Sequence, residues 1–358
     1  MAHGGHRRVY ESLPGCETEC YRRCVLDRLR PIVELGVRRL AGRKSPYQMT
    51  LSLTNRCNFR CEYCDLPLNP LPEMSGEEWC GAIDELHGGG MGRVSLIGGE
   101  PLIFKQSGMV IRHLKKRGIH AAMNTNGWFV RDQIDDVELL DVVCITLDGP
   151  REIHDRQRHP GSYDRAIEAI EILKSRGVAV VTMTVLTPAG ADNMDHVLAV
   201  ARDMSFKAFL QLEHPSSADC MMPMAPRMTD ERISDLAKRL LALKDAGEPI
   251  GNSRGTIQLH IDNGRYLGTC DGCYAGQYYG YILSDGTVCP CLLTHRQAEA
   301  GNGRRLGFLE AFHQMPPPRG PGCSCVPTFE VNQILNFDVG VLWNALDMTL
   351  RRRDRARV

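Results

Sequence analysis

Leu53-Thr54-Asn55-Arg56-Cys57-Asn58-Phe59-Arg60-Cys61-Glu62-Tyr63-Cys64 closes a short run, Gln48 to Leu53, whose residues fit a β-strand. Loops at the C-terminal ends of parallel strands are where α/β barrels build their sites. The three cysteines are separated by three and then two residues, so a short loop can turn each sulfur inward onto one small inorganic core. An iron-sulfur cube takes four ligands, and three thiolates leave one iron open to a non-protein ligand. Zinc competes for such thiols, but a structural zinc site closes with four ligands, and no nearby Cys or His is spaced to supply the fourth.

Outward from this loop, Pro46 to about Thr229 alternates aliphatic or β-branched runs with amphipathic stretches, the pattern of repeated βα units around a parallel sheet. Six strands are expected: Gln48 to Leu53, Arg93 to Ile97, His120 to Asn124, Val142 to Leu147, Val178 to Val185 and Ala208 to Leu212. Helical spacing marks Glu77 to Leu86, Gly108 to Arg117, Arg131 to Leu139, Tyr163 to Ser175 and Met194 to Met204, with Gly118 and Gly177 placed as C-terminal caps. A further helix, Asp230 to Ala246, follows the N-cap Thr229. The fold class is therefore α/β, a partial (β/α)6 TIM-like barrel. A Gly- and Pro-rich stretch, Gly247 to Gly255, separates it from a small Cys-rich C-terminal α+β domain. There, Ser284-Asp285-Gly286 reads as a tight turn between two short strands. The expected divisions are 1–46, an N-terminal basic amphipathic helical segment, 47–250, the barrel, and 256–358, the cysteine-rich domain.

The composition agrees with a globular chain: 358 residues, 43% hydrophobic and 24% charged. Lys plus Arg equals Asp plus Glu at 43 each, so there is no overall field to recruit nucleic acid, and no helix-turn-helix pattern is visible. The polar start, MAHGGHRRVYESLPGC, and the lack of a long apolar run lead us to expect a cytoplasmic protein with reduced thiols. Its fifteen cysteines then point to metal or catalysis. The basic amphipathic segment before residue 46 can pack on the barrel or make a weak membrane-surface contact.

The Cys-x3-Cys-x-Tyr-Cys loop after a strand of a partial barrel resembles the radical S-adenosylmethionine (SAM) superfamily. From about Pro46 to Leu212 other marks follow in order. Gly98-Gly99-Glu100-Pro101 resembles the segment that contacts the amino group of the methionine moiety. Asn124-Thr125-Asn126-Gly127 and Thr146-Leu147-Asp148-Gly149 look like polar strand ends facing the cofactor, and Tyr63 matches the aromatic position near the adenine. The resemblance implies a 4Fe-4S cluster on Cys57, Cys61 and Cys64. It also implies SAM beside Tyr63, Gly98, Gly99, Glu100, Asn126 and Asp148, and an electron donor such as flavodoxin or ferredoxin. The implied chemistry is one-electron cleavage of SAM to a 5'-deoxyadenosyl radical that abstracts hydrogen from substrate, the protein contributing position and exclusion of water.

In the tail, Cys270-x2-Cys273, Cys289-x-Cys291 and Cys323-x-Cys325 are similar to the SPASM and twitch extensions, although the later run of the full SPASM pattern is missing. That likeness implies an auxiliary 4Fe-4S cluster, expected on Cys273, Cys291, Cys323 and Cys325 with Cys270 and Cys289 as alternates. A paired-thiol zinc ribbon is the competing reading. Cys16, Cys20 and Cys24 would share one helix face, as a metal site or as packing, whereas Cys80, Cys144 and Cys220 read as packed thiols. His154-Asp155-Arg156-Gln157-Arg158-His159 reads either as a substrate contact or as a salt-bridged loop, and Gln211, Glu213 and His214 end the sixth strand at the barrel mouth. Met221, Met222, Met224 and Met228 form a soft apolar stretch, a substrate lid or plain packing.

Three functions are compatible with these residues. The first is a radical SAM enzyme that modifies a peptide or small molecule with the help of the auxiliary cluster. The second is a superfamily member acting in lipid or tetrapyrrole metabolism; 46 N-terminal residues look short for a separate leader-binding domain. The third is a non-catalytic iron-sulfur or zinc redox sensor.

Overall fold

The computed structural model describes residues 35–188, 193–212, 228–264, 273–291, 301–318 and 325–336. The chain forms two compact units, Met1–Arg43 and Lys44–Val358. Within the first, residues 35–40 are helical, and Cys16, Cys20 and Cys24 lie outside the described residues. Also outside them are Glu213, His214, Cys220, Met221, Met222, Met224, Cys270 and Cys323.

The second unit is built on a nine-stranded sheet in the order β6-β5-β4-β3-β2-β1-β7-β8-β9. All six expected barrel strands form, as β1 (Gln48–Ser52), β2 (Arg93–Ile97), β3 (His120–Thr125), β4 (Val142–Thr146), β5 (Ala179–Leu186) and β6 (Lys207–Leu212). Each pairs in parallel with its neighbour, and Leu51, Leu96 and Met123 sit in one row across β1, β2 and β3. All three are fully buried in the hydrophobic core. Alternation decides which face is buried: Val180, Thr182, Thr184 and Leu186 of β5 point inward, with partly exposed residues between them.

Helix Gly76–Gly88 shows how local signals and packing agree. Ser75 caps it in a reciprocal pair with Glu78: the Glu78 N–H donates to Ser75 Oγ (3.2 Å) and the Ser75 N–H donates to the Glu78 carboxylate (2.8 Å). Trp79, Ala82, Ile83 and Leu86 then line the buried stripe. The helix expected over Arg131 to Leu139 contracts to Ile134–Val137. Gln133 is drawn out of it, donating to Leu102 O (2.8 Å) and accepting from the Ser107 hydroxyl (3.2 Å). Conversely, Arg151–Gln157 is helical where a loop was one reading, and Ser253 caps a further helix, Arg254–Asn263.

The cysteine-rich segment continues this sheet. β7 (Tyr279–Ile282) pairs in parallel with β1, then β8 (Thr287–Cys289) returns antiparallel through the expected turn at Gly286, and β9 (Gly301–Asn302) adds outside it. At the opposite edge, β6 is covered by residues 249–252, where Asn252 exchanges two hydrogen bonds with the Leu210 backbone (2.9 and 2.8 Å).

Helix Val326–Leu335 joins these two distant edges. Its first N–H donates to Gln211 Oε1 on β6 (2.9 Å), and Glu330 accepts from the Ser253 N–H (2.7 Å) and the Thr256 hydroxyl (2.8 Å). On the β7 side, the Tyr279 hydroxyl donates to Asn332 (3.1 Å) and Tyr281 bonds Thr328 (3.3 Å). The helix therefore bridges the opening of the incomplete barrel. Gln211, expected at the mouth, is a buried part of that bridge. Replacing Gln211 by Ala would leave the buried Val326 N–H without its acceptor and is expected to lower stability by about 1–3 kcal/mol in urea unfolding.

Candidate functional site

The cysteine loop leaves β1 and is fixed from three sides. Glu73 forms a two-pronged ion pair with Arg56 (2.7 and 2.8 Å) and accepts from the Thr54 hydroxyl. The Asn55 side chain donates to Asn69 O (2.7 Å), drawing the far end of the loop back to its start. The end of β2 presses against the same backbone: the Gly99 N–H donates to Thr54 O (2.7 Å) and the Glu100 N–H to Arg56 O (2.9 Å). A Cβ on Gly99 would fall 2.3 Å from Arg56 O, and one on Gly98 2.4 Å from Thr54 O. Both glycines, expected from the sequence to admit a ligand, are needed for backbone to approach backbone.

Glu100 is fully buried. Its carboxylate accepts from the Thr125 hydroxyl (2.8 Å), the Asn126 N–H (2.8 Å) and the Leu102 N–H (3.1 Å), so it ties the ends of β2 and β3 together. Burial pushes its carboxyl up to about 7 against the pull of these donors. The Asn126 side chain donates to Asn58 (2.9 Å) and lies 3.9 Å from Cys57 Sγ.

The three thiols sense one another's charge, as expected of side chains facing a common space. Burial raises all three above the ordinary thiol range, Cys57 and Cys64 to about 11. A polar donor meets each sulfur: the Phe59 N–H reaches Cys57 (3.4 Å), the Leu66 N–H reaches Cys64, and Arg158 Nη1 lies 4.0 Å from Cys61. Among the described residues no three His, Cys, Asp or Glu groups close on a single metal ion. The more open thiol set, with donors already aimed at sulfur, fits a multi-iron core whose cluster would hold the thiols deprotonated.

Asp148, at the end of β4, is fully buried and spends both oxygens on the protein. Oδ1 accepts from the Val185 N–H (3.0 Å); Oδ2 accepts from the Tyr63 hydroxyl (2.8 Å) and Arg158 Nε (2.5 Å). Burial works to raise its carboxyl, but the adjacent guanidinium outweighs it and holds the group below the usual carboxylate range. Burial likewise raises the Tyr63 phenol. Of the His154 to His159 stretch, Asp155 plays the local role, accepting from Gly161 N–H, Ser162 Oγ and Tyr163 N–H, while Arg158 reaches the cysteine loop. Which charged residue of that stretch turns inward is set by the helix Arg151–Gln157, which aims Arg158 and which no capping side chain or long apolar stripe marks in the sequence.

In the C-terminal segment, two of the four expected auxiliary ligands, Cys273 and Cys325, lie against one helix, Val326–Leu335. Asn332 donates to Cys273 (3.4 Å), Tyr279 bonds the same sulfur (3.1 Å), and Thr328 donates to Cys325 (3.2 Å). Cys289 and Cys291 are buried along and just beyond β8. Cys144 is buried, its thiol pushed up to about 12 by burial, as a packed cysteine should be.

Residues 51–204 match the family model described as the Radical SAM superfamily, and this part of the chain is a radical SAM domain. Over 308 residues the chain is 24% identical to the sporulation killing factor maturation protein SkfB of Bacillus subtilis (strain 168), covering 80% of this chain and 71% of that protein. It is 25% identical over 273 residues to the GTP 3',8-cyclase of Helicobacter pylori (strain HPAG1), covering 68% and 79%. The fold is similar to that of Streptococcus suis SuiB bound to precursor peptide SuiA, with a TM-score of 0.63 at 13% identity over 88% of this chain and 73% of that one. The radical SAM domain of residues 51–204 is that of a superfamily of enzymes that use a 4Fe-4S cluster and SAM. The reading as a non-catalytic sensor is thereby set aside. No helix among the described residues is long and apolar enough to cross a membrane.

Two outcomes follow from this geometry. Gly99→Ala should displace the cysteine loop and cut iron incorporation after anaerobic reconstitution several-fold, with the far-UV circular dichroism of the barrel retained. His154 accepts from the Asp148 N–H (3.1 Å), and burial lowers its imidazole to about 4. Because its folded value lies below the ordinary 6.5, the unfolded chain binds the extra proton, and stability falls as pH drops from 6.5 toward 4. His154→Gln should flatten that part of the pH profile by on the order of 3 kcal/mol in denaturant titrations.

Proposed function

We propose that the chain is a radical SAM enzyme that modifies a peptide by hydrogen abstraction, using a second 4Fe-4S cluster in its C-terminal segment. The observation that supports the second cluster is that Cys273 and Cys325 both contact the helix Val326–Leu335, through Asn332 and Thr328, with Cys273 also against Tyr279 of β7, the strand that extends the barrel sheet at β1. Their sulfurs already accept from Asn332 and Thr328, the kind of donor that tunes cluster thiolates. Cys291 is the expected third ligand among the described residues, and Cys323, two residues from Cys325 in sequence, the expected fourth.

A peptide substrate is favoured by a relative named for maturing a killing factor and by a similar fold that holds a precursor peptide. The GTP cyclase among the relatives supports a second reading, a small-molecule substrate. In either case the cluster and SAM supply the radical when bound. The protein's own residues do the rest: Cys57, Cys61 and Cys64 hold the cluster, while Tyr63, Gly98, Gly99, Glu100, Asn126 and Asp148 shape the SAM side of the site. The electron donor is a reduced flavodoxin or ferredoxin.

Iron and sulfide analysis with Mössbauer spectra tests the two-cluster reading. We expect about eight irons per chain, falling to about four in the Cys57→Ala, Cys61→Ala, Cys64→Ala variant. Four irons falling to none, with zinc in the tail, would remove the auxiliary cluster. For the substrate, 5'-deoxyadenosine formation is followed with a mixed-sequence peptide library and with GTP in parallel; stimulation by GTP alone would replace the peptide with a nucleotide.

A further inference from the structure

Arg158 is buried against the cysteine loop, and each of its guanidinium nitrogens has a defined partner. Nε meets Asp148 Oδ2 (2.5 Å), Nη2 meets the Tyr63 hydroxyl, and Nη1 lies 4.0 Å from Cys61 Sγ. The side chain is 7% exposed and that of Asp148 0%. Its carbon also stands 5.4 Å from the centre of the Tyr63 ring. Three segments fix this position independently. Arg158 caps helix Arg151–Gln157, Asp148 ends β4 and is pinned to β5 through the Val185 N–H, and Tyr63 belongs to the cysteine loop.

Burying an ion pair costs desolvation that the attraction between the partners often fails to recover, so such a pair is a poor device for stability alone. The donors to Cys57 and Cys64 are neutral backbone N–H groups, whereas Cys61 is the thiol that the Arg158 guanidinium itself approaches, its charge reaching Cys64 more weakly. A fixed cation beside one thiolate corner stabilises the reduced, more negative form of a cluster, and hydrogen bonds and charge near the sulfurs are known levers on its potential.

We propose that Arg158 is a built-in positive charge that sets the reduction potential of the cluster through Cys61, with Asp148 and Tyr63 as the positioning residues that aim it. The inference rests on the cluster reading of the cysteine loop. It assigns Asp148 a role through Arg158, and it predicts opposite effects from the two members of the ion pair. Removing the cation should disfavour reduction. Neutralising its counter-ion while keeping an acceptor should favour it.

The test is a redox titration of anaerobically reconstituted full-length protein without SAM, following the electron paramagnetic resonance signal that Cys57→Ala abolishes. Arg158→Met is expected to lower the reduction equilibrium constant about tenfold, a midpoint lower by about 59 mV for one electron. Asp148→Asn is expected to raise it by a similar factor, and Arg158→Lys to remain within about threefold of wild type because the charge is kept. An unchanged midpoint in Arg158→Met with full iron content, or shifts of the same sign in Arg158→Met and Asp148→Asn, would overturn the proposal. If Arg158→Met loads no iron, the absence of an upward shift in Asp148→Asn overturns it equally. A wild-type protein that takes up no cluster would instead refute the cluster reading itself, and that result is visible before any variant is compared.

Discussion

The site depends on one close approach of backbone to backbone. The end of β2 lies against the start of the cysteine loop so tightly that the Gly99 N–H reaches Thr54 O and the Glu100 N–H reaches Arg56 O, with no room for a side chain at Gly98 or Gly99. Once these carbonyls are engaged, Glu73 can hold Arg56 and Thr54 from the other side, and the loop is left with one course along which its cysteines can turn. Glu100 extends the same anchor sideways by receiving Thr125 and Asn126 from β3. The cysteine loop thus takes its shape from neighbouring strand ends.

A second constraint is closure. An incomplete barrel leaves two strand edges exposed to unwanted pairing. Here residues 249–252 cover β6, β7 extends the other edge from β1, and helix Val326–Leu335 spans between them through Gln211, Thr328 and Asn332. Asn332 also touches Cys273, and Thr328 touches Cys325, so the residues that close the barrel are those that contact the C-terminal thiols. Any metal held by these thiols would be coupled mechanically to the barrel opening.

Polar residues inside this unit are arranged so that few charges stand alone. Asp148 and Arg158 neutralise one another, and His154 is kept uncharged by burial while accepting from the Asp148 N–H. The distinction between Asp155 and Arg158 is instructive: three residues apart in sequence, one closes a local turn and the other crosses to the cysteine loop.

Much of the molecule is legible without coordinates. Aliphatic and β-branched runs placed all six barrel strands to within a residue or so, because strands covered by helices must be apolar, and helical spacing placed Glu77 to Leu86 within its helix because one face must be buried. The spacing of Cys57, Cys61 and Cys64 pointed to an iron-sulfur core with one open iron, since ligand type and loop length are local properties, and the family resemblance implied the radical chemistry. What the sequence could not determine were relations between residues far apart in the chain. That Gly98 and Gly99 serve the cysteine loop, that Gln211 caps a helix beginning at residue 326, and that Arg158 faces Cys61 all follow from how strand ends and helix axes meet. Such contacts are fixed by the packing of the whole sheet, and only the tertiary structure contains that information.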